Sequence, residues 1–123
     1  MKTDMNVLEI LGRHMLTDGM DLVMDVDIIV HFKEAFHGRS GYTLSLTNTD
    51  NPDKTRFFPK FDWPRMDNPK LRFPVDAAEL QRVSETETQA LEQVKQAIRR
   101  YGDRVAGLII EPIQSEGGDN HFR

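Results

Sequence analysis

Two short apolar runs indicate buried β-strands. Residues 28–32 read Ile-Ile-Val-His-Phe and residues 105–110 read Val-Ala-Gly-Leu-Ile-Ile, so both runs have the length of a strand. Continuous apolar runs of this kind are typical of strands that are covered on both faces, as in a parallel sheet. We therefore predict one strand in each run.

A long amphipathic helix is predicted between these strands, from Asp76 to Tyr101. Asp76 can cap its first turn, Glu79 could complete a capping box, and Gly102 follows its end. The predicted apolar face has six residues: Leu80, Val83, Leu91, Val94, Ile98 and Tyr101. Strand, helix and strand in this order favour a parallel α/β fold, because such crossovers are right-handed and return to the same sheet.

The other segments differ in character. Apolar residues at Leu8, Leu11 and Met15 predict a helix over residues 5–16, followed by an extended segment over 22–24. Residues 48–74 contain five of the six prolines and five aromatic residues, which predicts a long irregular loop with aromatic anchors.

Two regions are expected on this basis. Residues 1–26 form an N-terminal helix with a short extended segment. Residues 27–123 form a piece of a larger α/β domain, because two helices cannot cover both faces of a parallel sheet.

Composition excludes several classes of function. The chain has 123 residues and a net charge of -4, which does not favour nucleic acid as the main partner. It has no cysteine, so disulfides and thiolate sites are excluded, and its four histidines are too dispersed to indicate a metal site. No apolar run could span a bilayer, and the first residues lack the apolar core of a signal peptide. A cytoplasmic protein without a membrane partner is expected.

Each predicted strand is followed by residues that could carry chemistry. In residues 36–42, Phe36 can stack on a planar ligand, Gly38 lets the backbone approach it, and Arg39 can bind a carboxylate or phosphate. In residues 111–119, Glu111 and Glu116 could act as acid, base or charge partner. Ligands of open α/β sheets bind beyond the carboxyl ends of the strands, so both clusters are candidate sites.

An ordinary turn also explains each cluster. Taken alone, the first pattern favours a tight turn with Phe36 packed inward and Arg39 in solvent, because such clusters are common in surface loops. The second pattern alone is compatible with a polar turn whose carboxylates face water.

Several segments resemble a known family. Residues 34–49, Glu-Ala-Phe-His-Gly-Arg-Ser-Gly-Tyr-Thr-Leu-Ser-Leu-Thr-Asn-Thr, closely resemble a segment of the class III, fold-type-I, pyridoxal-phosphate-dependent aminotransferases. Residues 111–118, Glu-Pro-Ile-Gln-Ser-Glu-Gly-Gly, resemble another. Residues 6–16, 58–65 and 119–123 are similar to the lysine 6-aminotransferase (L-lysine ε-aminotransferase) branch. The resemblance implies part of the large cofactor-binding domain of a homodimeric enzyme, with parallel strands, flanking helices and a long aromatic loop.

The resemblance also implies an activity and a set of site residues. The activity is transfer of the ε-amino group of L-lysine to 2-oxoglutarate, with pyridoxal 5′-phosphate as the electron sink. Arg39 would bind the substrate carboxylate, and Glu116 would be a switch glutamate that pairs with an arginine further along the family's sequence. On the cofactor side, the resemblance implies that the ring of Phe36 stacks on the pyridoxal ring. It also implies that four further residues line the cofactor: His37, Gly38, Glu111 and Gln114.

Parts of the family's sequence have no counterpart here. The chain passes from Val26 to Asp27 where the family has much of its N-terminal region, so an internal deletion is expected there. It ends at Arg123, before the aspartate that pairs with the pyridine nitrogen and the lysine that forms the Schiff base. None of the six lysines lies in that lysine's motif: Lys2, Lys33, Lys54, Lys60, Lys70 and Lys95. No catalytic residue is therefore assigned, and this chain alone is expected to be inactive. The alternative function is a non-catalytic product, either a truncated remnant or a fragment that docks on an intact subunit.

Overall fold

A three-stranded parallel sheet forms the centre of the molecule. The structure is a computed structural model that describes residues 26–48 and 51–123. Strand β1 (Ile28–Phe32) lies between β2 (Arg65–Met66) and β3 (Val105–Leu108), and both pairings are parallel. This confirms the two predicted strands and their relative direction. The helix predicted over 5–16 and the extended segment over 22–24 lie outside the described residues.

The strand predicted over 105–110 ends two residues early. Regular pairing stops at Leu108, although the backbone N–H of Ile109 still donates to the carbonyl of Val30 at 2.9 Å. The backbone turns away after this bond, so residues 111–119 start at the carboxyl edge of the sheet.

The aromatic loop predicted over 48–74 differs from expectation in two ways. It contains β2, in which Arg65 pairs with His31 of β1. A strand of two residues is too short for a hydrophobic pattern to reveal it. Trp63 packs against the core, as an anchor should. The other four rings of this loop are exposed and lie outside the core: Phe57, Phe58, Phe61 and Phe73. Two of them still pack on other parts of the chain, because Phe61 stacks on Tyr42 and Trp63 and Phe73 meets His121 edge-on.

The predicted helix is present as α2, after a short helix α1 (Gly41–Leu46) that the pattern did not predict. Helix α2 spans Ala77–Tyr101, the carboxylate of Asp76 caps it by accepting from the N–H of Glu79 at 2.8 Å, and Gly102 ends it with φ 54°. The side chain of Glu79 does not close a capping box. It accepts hydrogen bonds from the backbone N–H of Arg72 and the guanidinium of Arg82 instead, both at 2.6 Å.

Small residues bring α2 close to the sheet. Val83 and Val94 are buried as predicted, but Leu80 and Leu91 of the predicted apolar face are exposed. Their places are taken by Ala90 and Ala97, which are buried. The packed core consists of residues from β1, β2, β3 and α2: Ile28, Val30, Phe32, Met66, Ala90, Val94, Ala97 and Val105.

The chain ends in a small hairpin. Strands β4 (Ile113–Gln114) and β5 (Asn120–His121) pair antiparallel and enclose residues 115–119. Two single-turn 3-10 helices, Pro52–Lys54 and Gly102–Arg104, complete the described structure. Among the described residues, no helix is long and apolar enough to cross a membrane.

Candidate functional site

The two predicted clusters meet at the carboxyl edge of the sheet. The loop of residues 33–40 follows β1, and residues 111–119 follow β3, which is its parallel neighbour. The backbone N–H of Phe36 donates to Oε2 of Glu111 at 3.0 Å. This bond joins residues 75 positions apart in the chain. The two candidate loops are therefore in contact at the carboxyl edge of the sheet.

Close backbone packing adds to this contact. A methyl group added at Gly117 would overlap the carbonyl oxygen of Glu34, so only a glycine allows the loops to approach this closely. The side-chain amide of Gln114 donates to the carbonyl of Lys33 at 2.9 Å. The second loop is thus held against the first by its backbone and by two side chains.

The His37–Gly38 backbone is held by one hydroxyl group. Oγ1 of the buried Thr47 accepts from the N–H of His37 at 3.0 Å and donates to the carbonyl of Gly38 at 2.7 Å. Gly38 has φ 118°, and a side chain there would also collide with Oγ1 of Thr43. Helix α1 places both threonines, because it turns the chain back over the loop.

The predicted site residues differ in their environments. Phe36 and His37 are half-buried, whereas Arg39 and Glu116 are exposed. The side chains of Arg39 and Glu116 make no hydrogen bond or ion pair with another described residue. Nε2 of His37 is buried and has no hydrogen-bond partner among the described residues. The first loop thus carries a half-buried ring and a buried ring nitrogen without a partner among the described residues, and each loop carries one exposed charge, Arg39 on the first and Glu116 on the second.

Gln114 lies behind this surface. It is fully buried, and its Oε1 accepts from Nδ2 of Asn68 at 2.6 Å and from Nδ2 of Asn120 at 3.0 Å. With the bond to Lys33, both polar atoms of this amide are used within the chain. Gln114 thus joins the hairpin to two other segments.

Sequence reasoning missed three residues that shape this site. Thr47, Asn120 and Glu34 each bind a predicted loop through their side chains. Glu34 and Thr47 lie inside the quoted stretch 34–49, but hydroxyl and carboxyl groups in a loop have no periodic signal. Only the folded chain shows what they bind.

A buried histidine lies next to the site on β1. His31 is fully buried, its Nε2 accepts from Nε of Arg65 at 3.0 Å, and its Nδ1 lies 3.2 Å from the carbonyl of Ile29. Burial and the neighbouring charge of Arg65 lower the pKa of His31 to about 4, despite the bond to Ile29. The imidazole is therefore neutral near pH 7. Burial likewise lowers the pKa of Arg65, although the nearby charge of Asp62 opposes this.

A metal site needs several His, Asp or Glu side chains close together. In residues 26–48 and 51–123, no three His, Asp or Glu side chains are close enough together to hold a metal ion.

Comparison with known proteins identifies relatives of the chain. Residues 18–123 match the class III aminotransferase family. The chain is 53% identical over 95 residues to an L-lysine-epsilon aminotransferase of Amycolatopsis lactamdurans, covering 76% of the chain and 20% of that protein. It is 46% identical over 112 residues to an L-lysine-epsilon aminotransferase of Mycobacterium bovis, covering 91% of the chain and 24% of that protein.

A solved structure shares the fold. The lysine aminotransferase of M. tuberculosis superposes with a TM-score of 0.70 at 49% identity, covering 78% of the chain and 21% of that protein. The chain thus spans about a fifth to a quarter of the length of the relatives it matches. The match extends over the sheet, helix α2 and both loops, since all of them lie within residues 18–123. The chain therefore belongs to the class III aminotransferase family, and its α/β fold is part of the fold-type-I architecture.

Proposed function

We propose that the protein acts in transfer of the ε-amino group of L-lysine to 2-oxoglutarate. The observation that carries this proposal is the bond between Phe36 and Glu111, because it unites the two loops that resemble the aminotransferase site. Identity of 46–53% to proteins named L-lysine-epsilon aminotransferase supports lysine as the amino donor. A homodimer, as the family resemblance implies, and a cytoplasmic location, as expected from the sequence, are part of the same proposal.

The described residues fit one wall of a pyridoxal phosphate site. Phe36 is half-buried and its backbone N–H is bonded to Glu111, and the buried Nε2 of His37 lacks a partner among the described residues. An aromatic ring can stack on a planar pyridine ring. When bound, pyridoxal phosphate supplies the electron sink of amino-group transfer.

On the cofactor side, this chain supplies residues that hold and orient the pyridoxal ring. In our proposal Phe36 stacks on the pyridoxal ring, and His37 and Gly38 shape the same wall. The left-handed φ of Gly38 and the hydroxyl of Thr47 set the direction of that wall. Glu111 and Gln114 act from the second loop through their hydrogen bonds to the first: Glu111 fixes Phe36, and Gln114 fixes Lys33.

On the substrate side, the chain supplies charge. The guanidinium of Arg39 can make a bidentate pair with a substrate carboxylate, which is a strong, charge-assisted contact. Glu116 is exposed on the facing loop and can accept a second cationic group, either from the substrate or from an arginine of the complete enzyme. Two opposite charges at one edge suit an amino acid donor better than a neutral ligand.

A titration tests the cofactor part of the proposal. Pyridoxal 5′-phosphate added to the ¹⁵N-labelled chain should shift the amide resonances of Phe36, His37 and Gly38. Phe36→Ala should abolish these shifts, because the stacking ring is gone. Phe57→Ala is the matched control, since this ring is 81% exposed and lies in the aromatic loop. Resonance shifts that survive Phe36→Ala would contradict the proposed site. Shifts that appear only at the amides of the lysine residues would contradict it as well.

A second assay tests the reaction. The Schiff-base lysine of the family has no counterpart in this chain, so the assay uses an intact relative with the same Phe-His-Gly-Arg segment. L-lysine, 2-oxoglutarate and pyridoxal 5′-phosphate are added, and glutamate formation is measured. Formation that depends on L-lysine and is lost when the phenylalanine matching Phe36 is changed to alanine supports the proposal. Formation that is unchanged in that variant contradicts it.

A second candidate function is that of a non-catalytic fragment that docks on an intact aminotransferase subunit. The observation that favours it is the exposure of three neighbouring aromatic residues, Phe57, Phe58 and Phe61, at 81%, 58% and 51%. Sedimentation of the chain with an intact lysine aminotransferase should then show a complex. Changing Phe57 and Phe58 to Ser should abolish this complex, whereas changing the exposed Phe73 to Ser should not.

A further inference from the structure

Glu34 has a backbone conformation that residues other than glycine rarely adopt. It lies two residues after β1, and its φ of 60° is in the left-handed region. Its N–H donates to Oδ1 of Asn48 at 2.9 Å, and the N–H of Asn48 donates to the carbonyl of Ala35 at 2.8 Å. Strained residues persist where the surrounding contacts hold them, and they cluster at functional sites.

The carboxylate of Glu34 connects three segments of the chain. Its Oε2 accepts from Nζ of Lys70 and Nδ2 of Asn120, both at 2.6 Å, and from Nδ2 of Asn68 at 3.2 Å. Burial alone would raise the pKa of Glu34, but the hydrogen bonds from Lys70, Asn68 and Asn120 outweigh it and lower the pKa. An ionised carboxylate therefore joins the first loop, the segment after β2 and the C-terminal hairpin.

The second loop also rests on the backbone of Glu34. Gly117 has no room for a side chain, because a Cβ atom at this position would overlap the carbonyl oxygen of Glu34. The Nδ2 of Asn120 that contacts the Glu34 carboxylate also lies 3.0 Å from the carbonyl of Gly117. Glu116 directly precedes Gly117, and Arg39 follows Glu34 on the first loop. The position of Glu116 relative to Arg39 therefore depends on Glu34.

We propose that Glu34 is a positioning residue that holds the loop of Glu116 against the loop of Phe36 and Arg39, acting through Asn120. This inference rests on the proposed function, which assigns Arg39 and Glu116 to the substrate. A carboxylate suits the place because the three donors converge on its Oε2 and one of them, Lys70, is charged. The amide oxygen of a glutamine could accept the same hydrogen bonds, but it would carry no charge to pair with Lys70.

Hydrogen exchange of the labelled chain provides the test. Two amides report on contact between the segments: Phe36 N–H, bound to Glu111, and Leu71 N–H, which donates to the carbonyl of His121 at 2.8 Å. In Glu34→Gln both should exchange about tenfold faster or more, while amides of α2 keep their rates. Glu92→Gln is the control, because Glu92 also pairs with a cation, Arg99, but in an exposed pair within α2. It should leave both reporter amides unchanged.

The result separates positioning from general stability. If all amides, including those of α2, accelerate by the same factor, Glu34 only stabilises the fold and the inference is wrong. Unchanged rates at Phe36 and Leu71 also overturn it. Lys70→Gln is the second variant if Glu34→Gln does not fold, since the Lys70 side chain is 35% exposed and its loss leaves no hole in the core. It should accelerate the same two amides.

Failure of this test can be distinguished from failure of the proposed function. The titration with pyridoxal 5′-phosphate reports on Phe36, His37 and Gly38 in the unmodified chain, without reference to Glu34. Failure of that titration counts against the cofactor site, whereas uniform or absent acceleration in Glu34→Gln counts against the positioning role.

Discussion

The backbone N–H of Phe36 and the carboxylate of Glu111 lie 3.0 Å apart, although 75 positions separate them in the chain. The two residues follow neighbouring parallel strands, so the direction and order of the strands bring them together. This bond holds the backbone that carries the ring assigned to the cofactor by the family resemblance. It also gives the Glu111 side chain a structural role as a hydrogen-bond acceptor.

Loss of the Glu111 acceptor should free the Phe36 loop. Glu111→Ala leaves a half-buried N–H unpaired, which should lower the free energy of unfolding by about 1–3 kcal/mol. Urea denaturation and the exchange rate of the Phe36 amide measure this. Glu116→Ala, which removes an exposed carboxylate of the same loop, should change stability by less than about 0.5 kcal/mol. Equal effects of the two substitutions would contradict the role given to Glu111.

A methyl group at Gly117 should separate the two loops. Gly117→Ala would overlap a backbone atom of Glu34 that cannot rotate away, so we expect a loss of about 1–3 kcal/mol or more in unfolding free energy. Gly107→Ala is the matched control in β3, because nothing lies within 4 Å of the added methyl group. If the control destabilises as much as Gly117→Ala, close approach of the loops is not the cause.

Removal of the Thr47 hydroxyl should loosen His37 and Gly38. Thr47→Val keeps the shape but leaves the N–H of His37 and the carbonyl of Gly38 without this partner, so we expect about 1–3 kcal/mol of destabilisation. Chemical denaturation measures it. Thr88→Val, on the exposed side of α2, should have little effect, since that hydroxyl bonds only to the helix carbonyl of Ser84.

Stability should depend on pH through His31. Its pKa is lowered from 6.5 to about 4 in the folded chain, so the unfolded chain binds the proton more tightly. The free energy of unfolding should therefore fall as pH decreases from about 6.5 to about 4 and show no further effect of His31 below that. Thermal melts across this range, compared with His31→Gln, test this. A His31→Gln protein with the same slope between pH 6.5 and 4 would exclude His31 as the source.

Arg39 should affect ligand binding and leave stability unchanged. It is exposed and makes no hydrogen bond or ion pair with the described residues, so Arg39→Ala should shift the urea midpoint by no more than experimental error. In an intact relative with the same Phe-His-Gly-Arg segment, the substitution should sharply weaken use of the amino donor and leave pyridoxal phosphate binding nearly intact. Arg39→Lys should restore only part of the loss, because an ammonium group cannot form two parallel hydrogen bonds. Loss of the cofactor with normal use of the donor would refute the carboxylate role.

Local patterns in the sequence determined the main elements. The continuous apolar runs that became β1 and β3, the cap at Asp76 and the stop at Gly102 are signals within a few neighbouring residues. Strand, helix and strand in succession then determined parallel pairing, since the crossover rule leaves few alternatives. The two loops after the strands could be named as candidate sites for the same reason.

Tertiary structure decided everything that depends on distant partners. Strand β2 exists because Arg65 and Met66 meet β1. The face of α2 that packs in the core carries Ala90, Val94 and Ala97, whereas Leu80 and Leu91 are exposed. The strained Glu34, its bond to Asn120 and its contact with Gly117 join residues more than 80 positions apart. No periodicity encodes such contacts, because a carboxylate or a glycine in a loop acquires its role only when the fold places a donor or a backbone atom beside it.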